Sequence, residues 1–172
     1  MTEKKKMKLY CAYPMEYAKK FKEGYWKKIS DKLKEAGFNV FNPAEKEIDK
    51  TGMPAKQVIE LIKKMKPRIT FDPEAKKGLI EINDKIWKVD LEAVDSADIL
   101  MIYYDRDIVS DGSRREIFRM IDKGGIIYLV CPHKFEFIST VVLASVIKDN
   151  RNKLFHKVEY AVDSIIKDFS NK

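Results

Sequence analysis

Apolar runs of strand length alternate with amphipathic segments along the chain. These runs predict strands at 7–12, 38–43, 98–104, 126–131 and, at a sheet edge, 153–159. The run at 98–104 is almost continuously apolar, which is typical of a parallel strand that is covered on both faces. Over 16–36, four apolar side chains recur at helical spacing: Phe21, Trp26, Ile29 and Leu33. This alternation predicts one α/β domain over residues 1–172.

Glycine and proline set the predicted boundaries of several helices. Gly37 is placed to end the first helix, and Pro54 can begin a second one that continues to about Met65 and stops at Pro67. The stretch 68–84 resembles a loop or a small hairpin, with a turn near Lys77–Gly78. Further helices are predicted at 90–97, at 113–123, at 135–149 and after 159.

The predicted fold is a single-domain doubly wound sheet of the flavodoxin or Rossmann type. It has five mostly parallel strands in the order 2-1-3-4-5, with helices on both faces. Ligands bind such sheets beyond the carboxyl ends of the strands. We therefore expect one rim to carry Tyr13, Asn42, Asp105, Asp107, His133 and the loop 110–116. Cys11 and Cys131 fall on strands that are not neighbours, about 10 Å apart at the usual strand spacing, so they are expected to be buried free thiols.

The composition favours a cytoplasmic protein. No apolar run approaches the ~20 residues of a membrane span, and no apolar stretch of signal-peptide length follows the basic amino terminus. Cysteine and histidine spacings do not match a zinc site, so no metal is expected. The chain has neither a Walker loop nor a G-x-G-x-x-G fingerprint, which disfavours ATP and NAD; no organic cofactor is expected.

The net charge of +7 suggests an anionic partner. A phosphorylated small molecule fits this charge as well as nucleic acid does. Most lysines, however, lie on predicted solvated helix faces, and no nucleic-acid readout motif is present. We therefore expect a small-molecule partner, with no specific nucleic acid and no membrane.

The stretch "SDGSRRE", residues 110–116, has two interpretations. Ser113 and Glu116 have the spacing of a helix capping box. The same junction, with Ser110, Asp111 and Gly112, could instead cradle an anion at the helix amino terminus.

Two other groups have the same ambiguity. Asp90 is either a helix N-cap or, with Glu92, Asp95 and Asp98 close behind it, one of a set of carboxylates that could divide acid and nucleophile roles. The aromatic residues of "YCAYPMEYA", residues 10–18, are either core residues or a surface on which a planar base could stack.

Taken in order, these three stretches resemble the nucleoside 2-deoxyribosyltransferase family, most closely its branch of 2'-deoxynucleoside 5'-monophosphate N-hydrolases. The matching segments are "YCAYPMEYA", "LKEAGFNVFNP", Asp90 eight residues before the Ala97–Asp98 strand start, and "SDGSRRE". The resemblance covers about residues 8–131, and the segment 44–88 is longer than the family pattern. This segment is therefore interpreted as an insertion or a lid.

The resemblance implies a function and a set of roles. Glu116 would attack the anomeric carbon of a nucleoside or nucleoside 5'-monophosphate, Asp90 would protonate the departing base, and Tyr10 would hold the nucleophile. The substrate would contact a set of residues in the first and last motifs: Tyr13, Pro14, Met15, Ser110, Asp111, Gly112 and Ser113. The base–sugar bond would be cleaved by hydrolysis or by transfer to another base. A homodimer or larger homo-oligomer is also implied.

Ser110 and three departures from the family pattern bear on which substrate the protein would accept. Serine at position 110 is typical of the branch that accepts a 5'-phosphate, because an aspartate there would repel the phosphate. Tyr13 replaces a family glycine, Glu16 stands where an arginine is common, and Arg114 occupies a position that is usually small or apolar. These departures keep open an alternative function, a non-catalytic nucleotide-binding or sensing domain on the same fold.

Overall fold

The computed structural model describes residues 6–14, 24–45, 52–105, 107 and 111–169. Within these residues the strands are β1 Lys8–Ala12, β2 Asn39–Phe41, β3 Ile99–Tyr103, β4 Ile126–Val130 and β5 Lys153–Phe155. The α-helices are α1 Tyr25–Glu35, α2 Ala55–Met65, α3 Pro73–Ser96, α4 Asp111–Asp122, α5 Thr140–Ile147 and α6 Val158–Phe169. The first part of the helix predicted over 16–36 lies outside the described residues.

The five strands form one sheet in the order β2-β1-β3-β4-β5, with every pair parallel. The predicted α/β class, strand order and doubly wound topology are confirmed. β3 is the central strand, and all five of its residues are buried, as its continuous apolar sequence indicates. Because the strands are parallel, their carboxyl ends share one rim.

Alternating side chains of the strands supply two apolar cores, one on each face of the sheet. One face packs against α1 and α6 and includes Leu9, Cys11 and Met101. The opposite face packs against α4, α5 and the last turn of α3, and it includes Tyr10, Leu100 and Ile102. Both cysteines are buried free thiols, as predicted.

Gly37 ends α1 in the predicted way. Its φ of 98° lies in the left-handed region, where glycine avoids the cost of a side chain. The N–H of Gly37 donates to the Lys34 carbonyl at 2.9 Å, and the N–H of Phe38 donates to the Leu33 carbonyl at 3.1 Å. This pair of bonds is the Schellman arrangement, and it turns the chain directly into β2.

By its internal contacts the chain divides into two compact units, Met1–Asn42 with Ala93–Lys172, and Pro43–Glu92. The second unit has its own small apolar core between α2 and α3, which includes Val58, Ile62 and Ile82. The interpretation of 44–88 as an insertion or lid within one domain of residues 1–172 stays a prediction.

The loop or hairpin predicted at 68–84 is wrong, because α3 runs without interruption from Pro73 to Ser96. Asp72 is its N-cap: its Oδ1 accepts hydrogen bonds from the backbone N–H groups of Glu74 at 3.0 Å and Ala75 at 3.1 Å. Gly78 is not a turn residue but a place of close helix packing. A Cβ at this position would lie 3.0 Å from the sulfur of Met65 in α2.

Two smaller differences concern the last third of the chain. The helix predicted at 135–149 is a short 3₁₀ turn, Phe135–Phe137, followed by the separate helix α5. The edge strand predicted at 153–159 ends at Phe155, and α6 begins at Val158. No helix among the described residues is long and apolar enough to cross a membrane.

Candidate active site

A buried carboxylate and a buried tyrosine meet on one face of the sheet. Glu116 is on α4 with 7 % of its surface exposed, and Tyr10 is in the middle of β1 and fully buried. The Tyr10 hydroxyl donates to Glu116 Oε1 at 2.8 Å. The Tyr10 ring stacks on Phe41 of the neighbouring strand, with ring centroids 5.2 Å apart and planes 11° apart. The ring contact and the hydrogen bond together fix the Tyr10 side chain. The hydroxyl that donates to Glu116 therefore has a defined position.

The capping-box interpretation of Ser113 and Glu116 is wrong. The chain is already helical at Asp111, which places Ser113 inside the first turn and Glu116 in the second. Ser113 is buried, Gly112 is half-buried and Asp111 is exposed. Glu116 accepts a hydrogen bond from Tyr10 of β1. Ser110, the remaining predicted residue of this junction, lies outside the described residues.

Arg114 contacts the other end of the connection between β3 and α4. Its interaction with the hydroxyl of Tyr104 raises the pKa of the guanidinium. It also lies 3.8 Å from the Asp111 carboxylate, one helical turn earlier. Arg114 therefore links the first turn of α4 to the residue that follows β3.

Tyr13 has a packing role in this structure. Its ring stacks on Trp26 of α1 with centroids 4.2 Å apart, and its hydroxyl donates to Asn42 Oδ1 at 2.9 Å. Asn42 is buried and follows β2, as the rim prediction requires. Pro14 is buried beside Tyr13 in the sequence, and Met15 lies outside the described residues. Substrate contact by Tyr13 and Pro14 stays a prediction.

Asp90 is not an N-cap, since it lies well inside α3. It is a buried carboxyl group with 6 % of its surface exposed, and it belongs to the second unit. Its neighbours along the chain have clear structural contacts. Asp98 Oδ2 accepts the N–H of Lys8 at 2.8 Å, which ties the start of β3 to β1. The acid role predicted for Asp90 stays a prediction.

The carboxyl-terminal half of α4 is tied to the end of α3. Arg119 donates two hydrogen bonds to the Asp95 carboxylate, at 2.6 and 2.8 Å. The Lys123 ammonium donates to the backbone carbonyls of Val94 at 3.0 Å and Asp95 at 2.6 Å, and also to that of Ala97. These carbonyls lie in the last turn of α3 and just beyond it, where the helix no longer supplies a full set of N–H donors. The helix that carries Glu116 is thereby fixed at a second place.

The topology predicts that Asp105, Asp107 and His133 lie on one rim, but it does not predict the hydrogen bond between His133 and Asp105. Asp105 follows β3 and its side chain is completely buried; His133, two residues beyond Cys131, is 26 % exposed. His133 Nε2 lies 3.0 Å from Asp105 Oδ1 and 3.4 Å from Asp107 Oδ2. Among the described residues these three are also the group whose ligand atoms, all within 4.8 Å of one another, could share a metal ion. The order of parallel strands predicts that these residues share a rim, but not which of them pair.

Two solved structures resemble this fold. One is the CMP N-glycosidase BcmB of Clostridium botulinum, with 16 % sequence identity, a TM-score of 0.54, and coverage of 92 % of this chain and 96 % of that one. The other is a 2-deoxyribosyltransferase of Bacillus psychrosaccharolyticus, with 22 % identity, a TM-score of 0.56, and coverage of 95 % and 94 %. No family model matches the sequence, and no curated protein matches it.

The similarity extends over almost the whole chain in both cases, although few residues are identical. The motif resemblance therefore agrees with the structural comparison at the level of the fold. This chain has the fold of an N-glycosidase and of a deoxyribosyltransferase.

Proposed function

We propose that the protein cleaves the N-glycosidic bond of a nucleoside 5'-monophosphate or nucleoside through a covalent intermediate on Glu116. The observation that carries this proposal is the buried Glu116 carboxylate bonded to the Tyr10 hydroxyl at 2.8 Å. A capping carboxylate would bond its own helix, whereas this one is oriented from another element. The glycosidase and transferase activities of the two structural neighbours support the same class of chemistry.

The proposed reaction has two steps. A Glu116 oxygen forms a bond to the anomeric carbon while the carbon–nitrogen bond breaks, and the electron pair leaves with the base. The leaving nitrogen takes a proton from Asp90. Water or the nitrogen of a second base then attacks the anomeric carbon, gives up a proton to Asp90 and releases the Glu116 carboxylate. Tyr10 donates to the carboxylate and keeps it aligned for both steps.

A 5'-monophosphate is the preferred substrate in this proposal. Ser110 introduces no negative charge at the start of α4, and Arg114 and Arg115 expose positive charge in its first two turns. The amino terminus of a helix adds N–H donors and a positive dipole. The excess of seven positive charges over the chain favours the approach of an anion.

A second copy of the chain is the proposed partner. The helix α5 contains no charged residue, and it is apolar on both sides: Val142 and Val146 lie in the core, while Val141 and Ile147 are 64 % and 58 % exposed. Phe137, just before this helix, is 46 % exposed. A helix with apolar residues on its outer side usually has a partner there. A homodimer through α5 would cover this surface.

The test is the release of free base, measured by chromatography, from a panel of nucleosides and their 5'-monophosphates. The wild type is expected to release base, with a monophosphate as the best substrate, and Glu116→Ala is expected to reduce the rate by about 10³-fold or more. Glu159→Ala serves as the matched control, because this glutamate is an exposed residue of α6 that bonds Tyr25.

Two outcomes would contradict the proposal. One is base release that survives Glu116→Ala, which would place the nucleophile elsewhere. The other is an inactive wild type, with and without a second base as acceptor, that still binds a nucleotide with an affinity unchanged by Glu116→Ala. That result would favour the non-catalytic nucleotide-binding domain.

A further inference from the structure

We propose that Asp105 and His133 are a positioning pair that holds the connection between β3 and α4 ready for substrate. This inference rests on the proposed function, because the connection leads into the predicted substrate-binding residues 110–113. It assigns a role to two rim residues that lie outside the predicted catalytic set.

Asp105 is the centre of this arrangement. Its completely buried carboxylate accepts hydrogen bonds from three directions: the N–H of Asp107 at 3.0 Å, His133 Nε2 at 3.0 Å and the Tyr103 hydroxyl. Burial, together with the Asp105 charge and the hydrogen bond to it, raises the pKa of Tyr103 to about 12, so this hydroxyl remains a donor. A buried carboxylate is expensive unless it is bonded in this way. Asp105 therefore resists displacement.

His133 joins the connection to the next strand of the sheet. A carboxylate can only accept a hydrogen bond, so Nε2 must carry the proton that it shares with Asp105. The same nitrogen is 3.4 Å from Asp107 Oδ2, which places His133 between two carboxylates of the connection. The backbone of Cys131, two residues before His133, is bonded to β5 at 2.8 Å. The chain that carries His133 is therefore anchored to the sheet two residues before the imidazole that contacts the connection.

The other end of the connection is held separately. Arg114 in α4 interacts with the hydroxyl of Tyr104, and the Tyr104 N–H donates to the Val130 carbonyl at 2.7 Å. Glu116 has its own supports, which are the hydrogen bond from Tyr10 and the ties of Arg119 and Lys123 to the end of α3. Loss of His133 should therefore loosen the substrate-binding connection and leave the nucleophile in place. The expected effect is on KM and not on kcat.

The experiment compares His133→Phe, which removes the donor, with His133→Gln, whose amide nitrogen can reach the position of Nε2, and with Lys134→Ala as the control on the neighbouring exposed residue. For His133→Phe we expect a KM for the preferred monophosphate that is about tenfold higher, with kcat within about twofold of the wild type. His133→Gln should recover most of the loss, and Lys134→Ala should behave as the wild type does. Asp107→Asn is the milder variant for use if His133→Phe does not fold.

Amide hydrogen exchange of the peptide 104–113, measured without substrate, separates this inference from the proposed function. Faster exchange in His133→Phe than in the wild type, with the wild-type rate in Lys134→Ala and an unchanged melting temperature, supports the positioning pair even if no base is released. Unchanged exchange in that peptide would overturn it. A parallel fall in kcat and melting temperature with an unchanged KM would also overturn it, because that pattern indicates a purely structural role.

Discussion

At the scale of single residues, the start of α4 at Asp111 excludes the capping box, and the role of Glu116 as a nucleophile stays a proposal. The spacing of Ser113 and Glu116 is that of a capping box, yet the carboxylate bonds a tyrosine 106 positions away in the chain. No local rule connects these residues, because they meet only when β1 and α4 pack on one face of the sheet. The motif resemblance named this pair, and periodicity alone could not have done so.

Replacing Tyr10 with phenylalanine tests the value of this contact. Tyr10→Phe keeps the ring on Phe41 and removes only the donor to Glu116. A hydrogen bond to a charged group contributes about 1.5–3 kcal/mol, so we expect kcat for base release to fall by about 10- to 100-fold. Steady-state kinetics on the preferred substrate measure this, and thermal unfolding provides the stability control. A kcat equal to that of the wild type would show that the phenol has no part in the reaction.

Other residue pairs on the rim show where sequence interpretation stops. The order of parallel strands placed Asp105, Asp107 and His133 at one edge, but the hydrogen bond between His133 and Asp105 depends on side-chain directions that the strand pattern does not specify. Arg114 is a similar case. The sequence shows only that an arginine stands where the family pattern has a small or apolar residue, whereas the interaction of its guanidinium with the Tyr104 hydroxyl depends on the fold.

At the scale of secondary structure, α3 is where the sequence interpretation failed and where a usable signal was present. Lys77–Gly78 predicts a turn, but Gly78 lies within α3. A glycine suits this position because Met65 packs closely against it. The better signal was Asp72–Pro73, an N-cap residue followed by proline at the first helical position. A glycine that serves helix packing and a glycine that serves a turn are identical in the sequence, and only the flanking cap separates them.

The N-cap of α3 predicts a specific dependence of stability on pH. The hydrogen bond from the Ala75 N–H lowers the pKa of Asp72, and Arg68 and the Glu74 N–H act in the same direction. Because the folded-state pKa is depressed, the stabilisation is present above the unfolded-state pKa and is lost as the pH falls through the folded-state value. We expect Asp72→Ala to lower the melting temperature at neutral pH and to reduce its dependence on acid pH.

Asp72→Asn is the control for this experiment, because asparagine can also cap a helix but does not titrate. Its melting temperature at neutral pH should stay near that of the wild type, while its acid dependence should be as weak as that of Asp72→Ala. Thermal unfolding followed by circular dichroism between about pH 3 and pH 7 covers the range in which an aspartate titrates. If the melting temperatures of the wild type and both variants depended equally on acid pH, Asp72 would not be the source of that dependence.

At the scale of the whole molecule, the alternation of apolar strands and amphipathic helices predicted the fold. The predicted ends of helices and strands differ from the observed ones where the chain turns. The strand order was predictable because parallel strands joined by helices have few permitted arrangements. The motif resemblance singled out 44–88 as an insertion or lid, and Pro43–Glu92 form a compact unit of their own; a role as a lid stays a prediction. A pattern of apolar residues identifies which faces are buried, but it does not tell which residues share a core.

The exposed side of α5 predicts an association that substitution can prevent. A charge at Val141 or Ile147, which are 64 % and 58 % exposed, should cost little in the monomer because neither side chain is in the core. In a dimer through this helix it would be buried without a partner, which is strongly unfavourable. We expect the wild type to be a dimer and Val141→Asp/Ile147→Asp to be a monomer, as measured by size-exclusion chromatography with light scattering.

Phe71→Asp is the matched control for the assembly, since Phe71 is 74 % exposed and lies in the second unit. This variant should keep the mass of the wild type. A wild type that is monomeric at micromolar concentration, or a double variant that remains dimeric, would contradict the assignment of α5 as the interface. Circular dichroism of the double variant excludes unfolding as the cause of a change in mass.

The two cysteines lie in the cores on opposite faces of the sheet, so each thiol can report on the helical layer that covers it. Cys11 faces the core with α1 and α6, Cys131 faces the core with α4 and α5, and each is 1 % exposed. A thiol reagent therefore reaches either sulfur only when the layer above it opens. Single cysteine-to-alanine variants leave one sulfur on one side, so labelling rates can be recorded for each layer in turn. The protein thus allows a direct comparison of how its two helical layers detach from the same five strands, without the introduction of any foreign probe.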